Sequence, residues 1–400
     1  MFRSALFAKL RQLQQGRVTL VDGEGRHEFG TGGELEVTIH VRRSQFYRDV
    51  ALGGLLGAGE GFIHGDWDCS DLTALVRIMV LNRGVWAGMD RGLARLAQPV
   101  RQVLHWFNRN SRKGSRRNIA AHYDLGNEFF QLFLDETMMY SCGVFEHPES
   151  SMYAASVAKN DRICRKLHLQ PGDHLIEIGT GWGGFAMHAA QNYGCLVTTT
   201  TISRQQHDMA VERIAAAGLS GRVQVVMEDY RDLQGQYDKL VSIEMIEAVG
   251  HQFFDTYFKK VSHLLKPSGM ALIQAITIQD QDFPTYLRTP DFIQRFVFPG
   301  GCLPSLTAIC DSMSRVTDLR LFHLEDLSPH YAQTLRCWRQ RFFENLHAIR
   351  ELGYPETFLR LWQFYLSYCE GGFEERSVGS VQLLFTKPQC RRPSLLPALP

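Results

Sequence analysis

The 400-residue sequence lacks several features, and each absence excludes a class of protein. No uninterrupted apolar run approaches the roughly 18–20 residues that a membrane-spanning helix needs. The N-terminal segment MFRSALFAKLRQLQQGR is interrupted by Arg3, Lys9 and Arg11, so it has no signal-peptide core. The nine cysteines form no CxxC pair, which predicts reduced thiols in a cytoplasmic protein and no metal site. With 44% hydrophobic and 21% charged residues, the composition is that of an ordinary globular protein.

Acidic residues are missing from one stretch, although the formal net charge of the whole chain is only +1. Between Arg91 and Tyr123 there is no aspartate or glutamate, while eight lysine and arginine side chains are present. The segment NRNSRKGSRR is polar and contains a glycine, which predicts a basic linker over residues 91–120. This linker is either a solvated connector or a contact with an anionic membrane or nucleic acid. At an anionic bilayer each basic group contributes about 1 kcal/mol.

Residues 1–90 predict a small mixed α/β domain. The stretches RVTLVDGEG and LEVTIHVRR alternate as strands do, and a helical pattern covers Leu72–Leu81. Glycines near Gly53–Gly61 predict turns. We expect this domain to dock on lipid.

From about Leu169 strand and helix patterns alternate, which favours an α/β fold with a doubly wound, mostly parallel Rossmann-like sheet. Ser203 is placed to cap one of these helices and Gly218 to end it. A helix-rich, aromatic insert over about 280–366 suits a cap on the sheet, and SVQLLFTK predicts a last strand. The predicted domain spans residues 121–390 and is followed by a tail over 391–400.

The strongest local pattern is LIEIGTGWGGF, a strand that leads through glycines into a helix. These glycines, which let the backbone turn tightly and approach a ligand, are Gly179, Gly181 and Gly183. With Gly184 the pattern also fits the GxGxxG of dinucleotide sites. However, the next strand ends in TTTTIS, without the acid that holds a dinucleotide ribose. Glu177, just before the glycines, suits the ammonium of a methionine moiety, so S-adenosylmethionine is favoured over NAD.

The chain resembles the cyclopropane-fatty-acyl-phospholipid synthase family, which includes the mycolic acid cyclopropane synthases. The resemblance covers nearly the whole length and rests on eight separated motifs in order: HYDLGNEFF, MMYSCGVF, EIGTGWGGF, TISRQQ, EDYRDL, SIEMIEAVGH, FPGGCLPS and YLSYCEGGF. It implies a Rossmann-like methyltransferase, a homodimer, that works on unsaturated phospholipids. The implied reaction transfers a methyl group from S-adenosylmethionine to a cis double bond and then closes a cyclopropane ring.

This chemistry explains which residue types the site needs. Methylation of an alkene leaves a carbocation, so the pocket must exclude water and offer aromatic faces to the charge. A base must then remove a proton from the new methyl group before the ring closes. The resemblance implies that this base is a bound bicarbonate.

The motif match places several residues around that anion. Cys142, Glu247 and Tyr331 fall at bicarbonate-holding positions, and Ile276 falls at the position that contributes its backbone. The alternatives are a buried small cysteine, a carboxylate on a helix surface and a packed aromatic ring. Cys369 in YCEGGF matches a cysteine once considered a nucleophile, although methylation of an alkene needs no covalent thiol intermediate.

Two departures from the family pattern concern the base. Gln274 stands where the family usually has histidine, and Ala248 follows Glu247 where Glu-His is common. An amide can bind an anion but cannot take up a proton at neutral pH. Glu244 lies three residues before Glu247, so a helical segment would bring the two carboxylates to one face and raise the pKa of one. Alternatively, Glu244 faces solvent.

The motif match also implies a set of positions around the cofactor. These positions are Tyr140 and Ser141 near the methionine end, Gly179, Gly181 and Gly183 in the loop, Thr201, Ile202 and Gln206 beside the ribose, and Asp229 and Tyr230 beside the adenine. We expect His122 and Tyr123 in HYDLGN to shape the pocket.

Four alternative functions follow from the same residues. A different proton loss from the carbocation gives a methyl-branched or methylene fatty acid. A nucleic-acid methyltransferase shares the fold, but no [DN]PP[FYW] pattern is present. An NAD enzyme and a lipid carrier complete the set. We expect a cytoplasmic enzyme that associates peripherally with the inner face of the membrane through anionic lipid, with no nucleic acid as partner.

Overall fold

The computed structural model describes residues 1–86 and 126–395. The basic linker, His122 and Tyr123 therefore lie outside the described residues, as does the end of the tail. The described residues divide into two compact units. The first contains residues 1–86, 285–299 and 335–377, and the second contains residues 126–284, 300–334 and 378–395. Each unit therefore combines segments that the predicted domain boundaries place in different domains. A docking role for residues 1–90 stays a prediction.

The elements of the N-terminal part agree in kind with a mixed α/β arrangement. In chain order they are α1 (Phe2–Leu10), β1 (Gly16–Asp22), β2 (Gly25–Gly32), β3 (Glu36–Val41), α2 (Gln45–Ile63), β4 (Trp67–Cys69), α3 (Leu72–Leu81) and α4 (Arg83–Trp86). The strands form one sheet in the order β2-β1-β3-β4. The Asp71 carboxylate caps α3 by accepting from the Ala74 amide, so this helix begins where its pattern predicts.

The prediction of glycine turns near Gly53–Gly61 is confirmed at Gly54, where φ is +58° and α2 is kinked between two helical stretches. It is wrong for the glycines that follow, which are helical. The other glycines allow close packing instead. A Cβ at Gly57 would lie 2.0 Å from the Asp49 carbonyl oxygen, and one at Gly59 would lie 2.6 Å from the Phe292 ring. Gly57 therefore allows close packing within the kinked helix, Gly59 allows contact with Phe292, and neither glycine ends the helix.

The elements from residue 126 onward alternate as the sequence predicts. They are α5 (Asn127–Gln131), α6 (Met152–Leu167), β5 (His174–Ile178), α7 (Gly184–Tyr193), β6 (Leu196–Thr200), α8 (Arg204–Ala216), β7 (Val223–Val226), β8 (Tyr237–Ile243), α9 (Phe254–His263), β9 (Leu265–Ile278), α10 (Phe283–Tyr286), α11 (Phe292–Phe296), α12 (Leu306–Val316), β10 (Arg320–Asp326), α13 (Ser328–Glu344), α14 (Leu346–Glu351), α15 (Glu356–Glu374) and β11 (Val378–Thr386). The Ser203 hydroxyl caps α8, and Gly218 follows its end with φ +70°. None of the described helices is long and apolar enough to cross a bilayer.

The second unit contains a seven-stranded sheet in the order β10-β11-β9-β8-β5-β6-β7. Strands β5 to β9 run parallel, whereas β11 is antiparallel to both of its neighbours. The insert contains the expected helices, but it also contains β10, an edge strand that the sequence analysis did not predict. Because β10 is mostly half-exposed, it lacks the apolar run that marks the central strands.

Helices cover both faces of this sheet. Successive residues of β5 point to opposite faces, so Leu175 packs in one apolar cluster with α6, α7 and α8, while Ile176 packs in another with α9 and α12. The α/β prediction of a doubly wound sheet is confirmed. In such folds ligands bind beyond the carboxyl ends of the parallel strands.

Candidate active site

Two neighbouring strands, β5 and β8, end at the same edge of the sheet because they run parallel. Strand β5 leads into the glycine loop, and β8 leads into Glu244. The longer strand β9 places Gln274 opposite Ile243, the last residue of β8. The sheet therefore brings the glycine loop, Glu244 and Gln274 to one edge.

Glu244 is held by three hydrogen-bond donors. Its Oε1 accepts from the Cys142 backbone amide at 2.9 Å and from Gln274 Nε2 at 2.8 Å. Its Oε2 accepts from the Tyr331 hydroxyl at 2.6 Å. These donors come from the loop before α6, from β9 and from α13, so the carboxylate joins three distant segments.

The Glu244 backbone is strained. Its φ is +50°, a left-handed value that favours glycine and costs other residues roughly 1–2 kcal/mol. Its amide donates to the Gln274 carbonyl oxygen at 2.8 Å, which fixes the turn out of β8. Strained residues persist where the surroundings over-determine them, and they cluster at functional sites. Glu244 is such a residue, since its side chain and its amide are both bound.

Burial raises the pKa of the Glu244 carboxyl above its ordinary value, and the hydrogen bonds from Tyr331, Cys142 and Gln274 oppose this rise. The Lys159 ammonium, fully buried on α6, also favours the ionised form of Glu244. The alternative that Glu244 faces solvent is therefore wrong.

Glu247 lies in a short 3-10 helix over Ile246–Ala248, so the expected α-helical segment joining it to Glu244 is not formed. Its Oε1 accepts from the Ile276 amide, and its buried Oε2 has no hydrogen-bond partner among the described residues. Burial, followed by the negative charge of Glu244, raises the pKa of Glu247 to about 8. With three donors on Glu244 and one on Glu247, the hydrogen bonds favour the charge on Glu244 and the proton on Glu247.

The two candidate cysteines lie in different surroundings. Cys142 is fully buried, and its pKa is raised well above the ordinary value, first by burial and then by the charge of Glu244. Its backbone amide, not its thiol, meets the carboxylate. Cys369 belongs to α15 in the first unit, where burial raises its pKa. Both thiols are therefore un-ionised at neutral pH, which disfavours a nucleophilic role.

The glycine loop has the backbone that the sequence predicts. The φ values of Gly179, Gly181 and Gly183 are +106°, +51° and +85°. No atom of the described residues lies within 4 Å of a Cβ built at Gly181, so a ligand has room there. A Cβ at Gly184 would lie 2.5 Å from the Thr137 carbonyl oxygen, which explains the glycine at the start of α7. This cradle fits S-adenosylmethionine.

The residues expected at the methionine end are held by packing and hydrogen bonds. Tyr140 packs against the Phe130 ring, with centroids 5.4 Å apart. The Ser141 hydroxyl accepts from Lys159 Nζ at 3.1 Å. Burial raises the pKa of Glu177 on β5 to about 8, and this carboxyl accepts from the Thr199 hydroxyl at 2.6 Å.

The residues expected at the ribose and adenine follow β6 and β7. Thr201 donates to Gln206 Oε1 at 2.9 Å, and Ile202 between them is half-buried. Asp229 forms a bidentate ion pair with Arg231, whose Nε and Nη2 donate to its two carboxylate oxygens at 2.7 and 2.6 Å. Tyr230 packs edge-on against a neighbouring ring. The roles of these side chains toward a cofactor stay predictions.

Lys159 is a site residue that was not predicted from the sequence. A signal was present, because Lys159 lies four residues from Ala155 and from Ile163, both fully buried on α6. A lysine on the apolar stripe of a helix predicts a buried cation with an acidic partner.

Comparisons with known proteins show the family to which the chain is similar. The family model described as mycolic acid cyclopropane synthetase matches residues 110–383. The chain is 40% identical over 346 residues to tuberculostearic acid methyltransferase UfaA1 of Mycobacterium tuberculosis, covering 84% of this chain and 79% of that protein. It is 34% identical over 357 residues to cyclopropane-fatty-acyl-phospholipid synthase of Escherichia coli, covering 89% of each.

A solved structure from the same family is also similar to this chain. Mycolic acid cyclopropane synthase CmaA1 complexed with SAH and CTAB aligns with a TM-score of 0.64 and 31% identity, covering 68% of this chain and 98% of that chain.

Proposed function

The chain belongs to the mycolic acid cyclopropane synthetase family, and we propose that it methylates the cis double bond of unsaturated acyl chains in membrane phospholipids, with Glu244 as the base. Like its family, it is an S-adenosylmethionine-dependent methyltransferase of lipid alkenes. The proposed product is a cyclopropane fatty acid. One observation carries the proposal: a carboxylate of the chain itself accepts the hydrogen bonds expected for the bound anion.

Cys142 and Tyr331, which the family resemblance assigns to bicarbonate, both donate to Glu244. The Ile276 amide, assigned to the same anion, donates to Glu247. A bicarbonate ion would have to displace two carboxylates from these donors. We therefore assign proton removal to Glu244 and regard bicarbonate as unnecessary.

The proposed reaction balances without another reactant. S-adenosylmethionine supplies an electrophilic methyl group when bound. The π electron pair of the alkene forms the new bond to the methyl carbon while the bond between that carbon and sulfur breaks. The electron pair of the broken bond stays on sulfur, S-adenosylhomocysteine leaves, and a cation remains on the adjacent alkene carbon. The electron pair of one C–H bond of the new methyl group then closes the ring, and its proton passes to Glu244. Glu247, already protonated, does not compete for that proton.

A ring-open product is the second candidate. A hydride shift before proton loss moves the cation to the methylated carbon, and loss of a methyl proton then gives a methylene group. The amide of Gln274 in place of the usual histidine alters the surroundings of the base, and the 40% identical relative is named for tuberculostearic acid. Both products need Glu244 to accept a proton.

The remaining parts of the proposal concern location. Eight basic residues without an acidic neighbour between Arg91 and Tyr123 support peripheral binding to anionic lipid at the inner face of the membrane. The homodimer stays a prediction from the family resemblance.

The test uses purified protein, methyl-labelled S-adenosylmethionine and vesicles of monounsaturated phospholipid, with and without phosphatidylglycerol, in carbonate-free buffer. We expect a gain of one methylene unit as a cyclopropane, at a higher rate on anionic vesicles and a lower rate in high salt. A methylene chain of the same mass would select the second candidate. If the reaction required added bicarbonate, Glu244 would not be the base. If no label entered the lipid, unsaturated phospholipid would not be the substrate.

A further inference from the structure

A continuous row of buried polar side chains leads from Glu244 to Lys166. Lys166 Nζ donates to Gln382 Oε1 at 2.7 Å, and Gln382 Nε2 donates to Gln274 Oε1 at 2.9 Å. Gln274 Nε2 then donates to Glu244 Oε1 at 2.8 Å. We call Lys166, Gln382 and Gln274 the polar row. The mechanism proposed above uses none of its links beyond Gln274.

The sheet register explains why the row is straight. Gln382 on β11 pairs with Gln274 on β9 and with Glu325 on β10, so the three residues stand side by side on one face. Lys166, near the end of α6, contacts both Gln382 and Glu325. Three strands and one helix therefore align the row with Glu244 at the end of β8.

The two ends of the row determine how its amides point. An ammonium group only donates hydrogen bonds, so Gln382 must turn its oxygen toward Lys166 and its NH₂ toward Gln274. Gln274 must then turn its NH₂ toward Glu244. Both amide dipoles present their positive ends to the carboxylate.

Burial strengthens the preference for this orientation of the two amides. Gln274 and Gln382 are 0% exposed and Lys166 is 5% exposed, so water does not compete for these bonds. Hydrogen bonds in series polarise one another in such surroundings. A reversed amide would leave two buried donors or two buried acceptors facing each other, which costs about 1–3 kcal/mol per unsatisfied group.

We propose that Lys166, acting through Gln382 and Gln274, holds the Glu244 carboxylate in its ionised form, as positioning residues for the proton-removing step. This inference rests on the proposed function. An ionised Glu244 also favours the developing cation electrostatically, so the row affects both formation and quenching of that cation.

Other charged and titratable groups face the two ends of the row. Around Glu244 they are Lys159, Cys142, Tyr331 and Glu247, and around Lys166 they are Glu325, Arg162 and His323. Burial lowers the pKa of Lys166 to about 8, and Glu325 opposes this effect. Arg162 lies one turn earlier on α6 and also binds Glu325, but it is exposed and makes no bond to Gln382 in the described structure.

The test compares pH profiles of kcat/KM for Lys166→Met and the matched control Arg162→Met, which removes an equal charge from the same helix. We expect the acidic limb of the kcat/KM profile, where activity falls as Glu244 is protonated, to move up by about one pH unit in Lys166→Met. Activity then falls about ten-fold at pH values below the wild-type limb and recovers at higher pH. Arg162→Met should keep the wild-type limb, and Lys166→Arg should restore most of it. A uniform loss at every pH, or an unmoved limb, would overturn the inference.

If Lys166→Met does not fold, Gln382→Met breaks the row at its centre and should move the limb in the same direction. The two proposals fail separately. Activity in Glu244→Gln would remove the proposed base, whereas an inactive Glu244→Gln with an unmoved limb in Lys166→Met would refute the polar row alone.

Discussion

After β5 the local backbone forms the cofactor cradle, whereas after β8 the reactive group depends on hydrogen-bond donors from distant segments. The glycines at 179, 181 and 183 lie within five residues, and each has the positive φ that the loop requires. Glu244 instead depends on donors 102, 30 and 87 residues away. Two strand ends at the same edge are thus specified differently, one by local conformation and the other by tertiary packing.

The carboxyls at these two strands show the same contrast, with Glu177 buried on β5 and Glu244 half-buried just after β8. Glu177 on β5 has a hydrogen bond from one hydroxyl, and burial raises its pKa to about 8. Glu244 has three donors, and the Lys159 ammonium favours the ionised form of both carboxyls, so the donors are what differs between the two sites. Burial by itself favours a protonated carboxyl, as at Glu177. Additional hydrogen-bond donors favour the ionised form, which can take a proton from substrate, as proposed for Glu244.

Glu244→Gln is the sharpest way to break the β8 side of the comparison. We expect turnover to fall by about 10²–10⁴-fold, because an amide cannot accept the proton. The cofactor cradle should be untouched, so the affinity for S-adenosylmethionine, measured by calorimetry, should match the wild type. Turnover near the wild-type rate would assign the base elsewhere, and a parallel loss of cofactor binding would mean that the two strand ends are not independent.

Gly181→Val tests the β5 side. A branched residue at φ +51° is strained by about 1–2 kcal/mol, and its side chain enters the cradle. We expect KM for S-adenosylmethionine to rise about ten-fold or more, in line with that free energy plus the steric conflict. Gly218→Val is the control, since Gly218 has φ +70° and open surroundings at the end of α8. It should lower the melting temperature without changing KM; an equal rise of KM in both variants would contradict a local role for Gly181.

Glu247→Gln should have the smallest effect on turnover, because at neutral pH the amide replaces a carboxyl that is already protonated. Stability should respond instead. The pKa of Glu247 in the folded protein is raised to about 8, so its burial costs free energy progressively as pH rises from the ordinary carboxyl value toward 8. Glutamine removes this cost.

Thermal unfolding at acidic and at mildly alkaline pH measures the difference. The variant should exceed the wild type by on the order of 2 kcal/mol at alkaline pH and by little at acidic pH. A stability gain independent of pH would show that Glu247 is ionised in the folded protein, and would reverse the assignment of proton and charge within the pair.

The sequence predicted much of the fold and part of the site. The α8 boundaries follow from Ser203 and Gly218, and the strand–helix alternation predicted the doubly wound sheet. It failed at α2, where Gly57 and Gly59 pack against neighbours, and at β10, whose half-exposed edge position carries no apolar run. A glycine required for close approach looks like a glycine required for a turn until the neighbour is known.

By itself the sequence determined the glycine loop, the alternation of strands and helices through the parallel part of the sheet, and the motifs that place the chain in its family, because each depends on neighbouring residues. Whether Glu244 faces solvent or the site was decided by the tertiary structure, as was its hydrogen bonding to Cys142, Gln274 and Tyr331. The polar row through Gln382 to Lys166 also depends on the tertiary structure. The physical reason is that the ionisation of a buried carboxyl depends on donors and charges within a few ångströms, and strand register brings these together from remote parts of the chain.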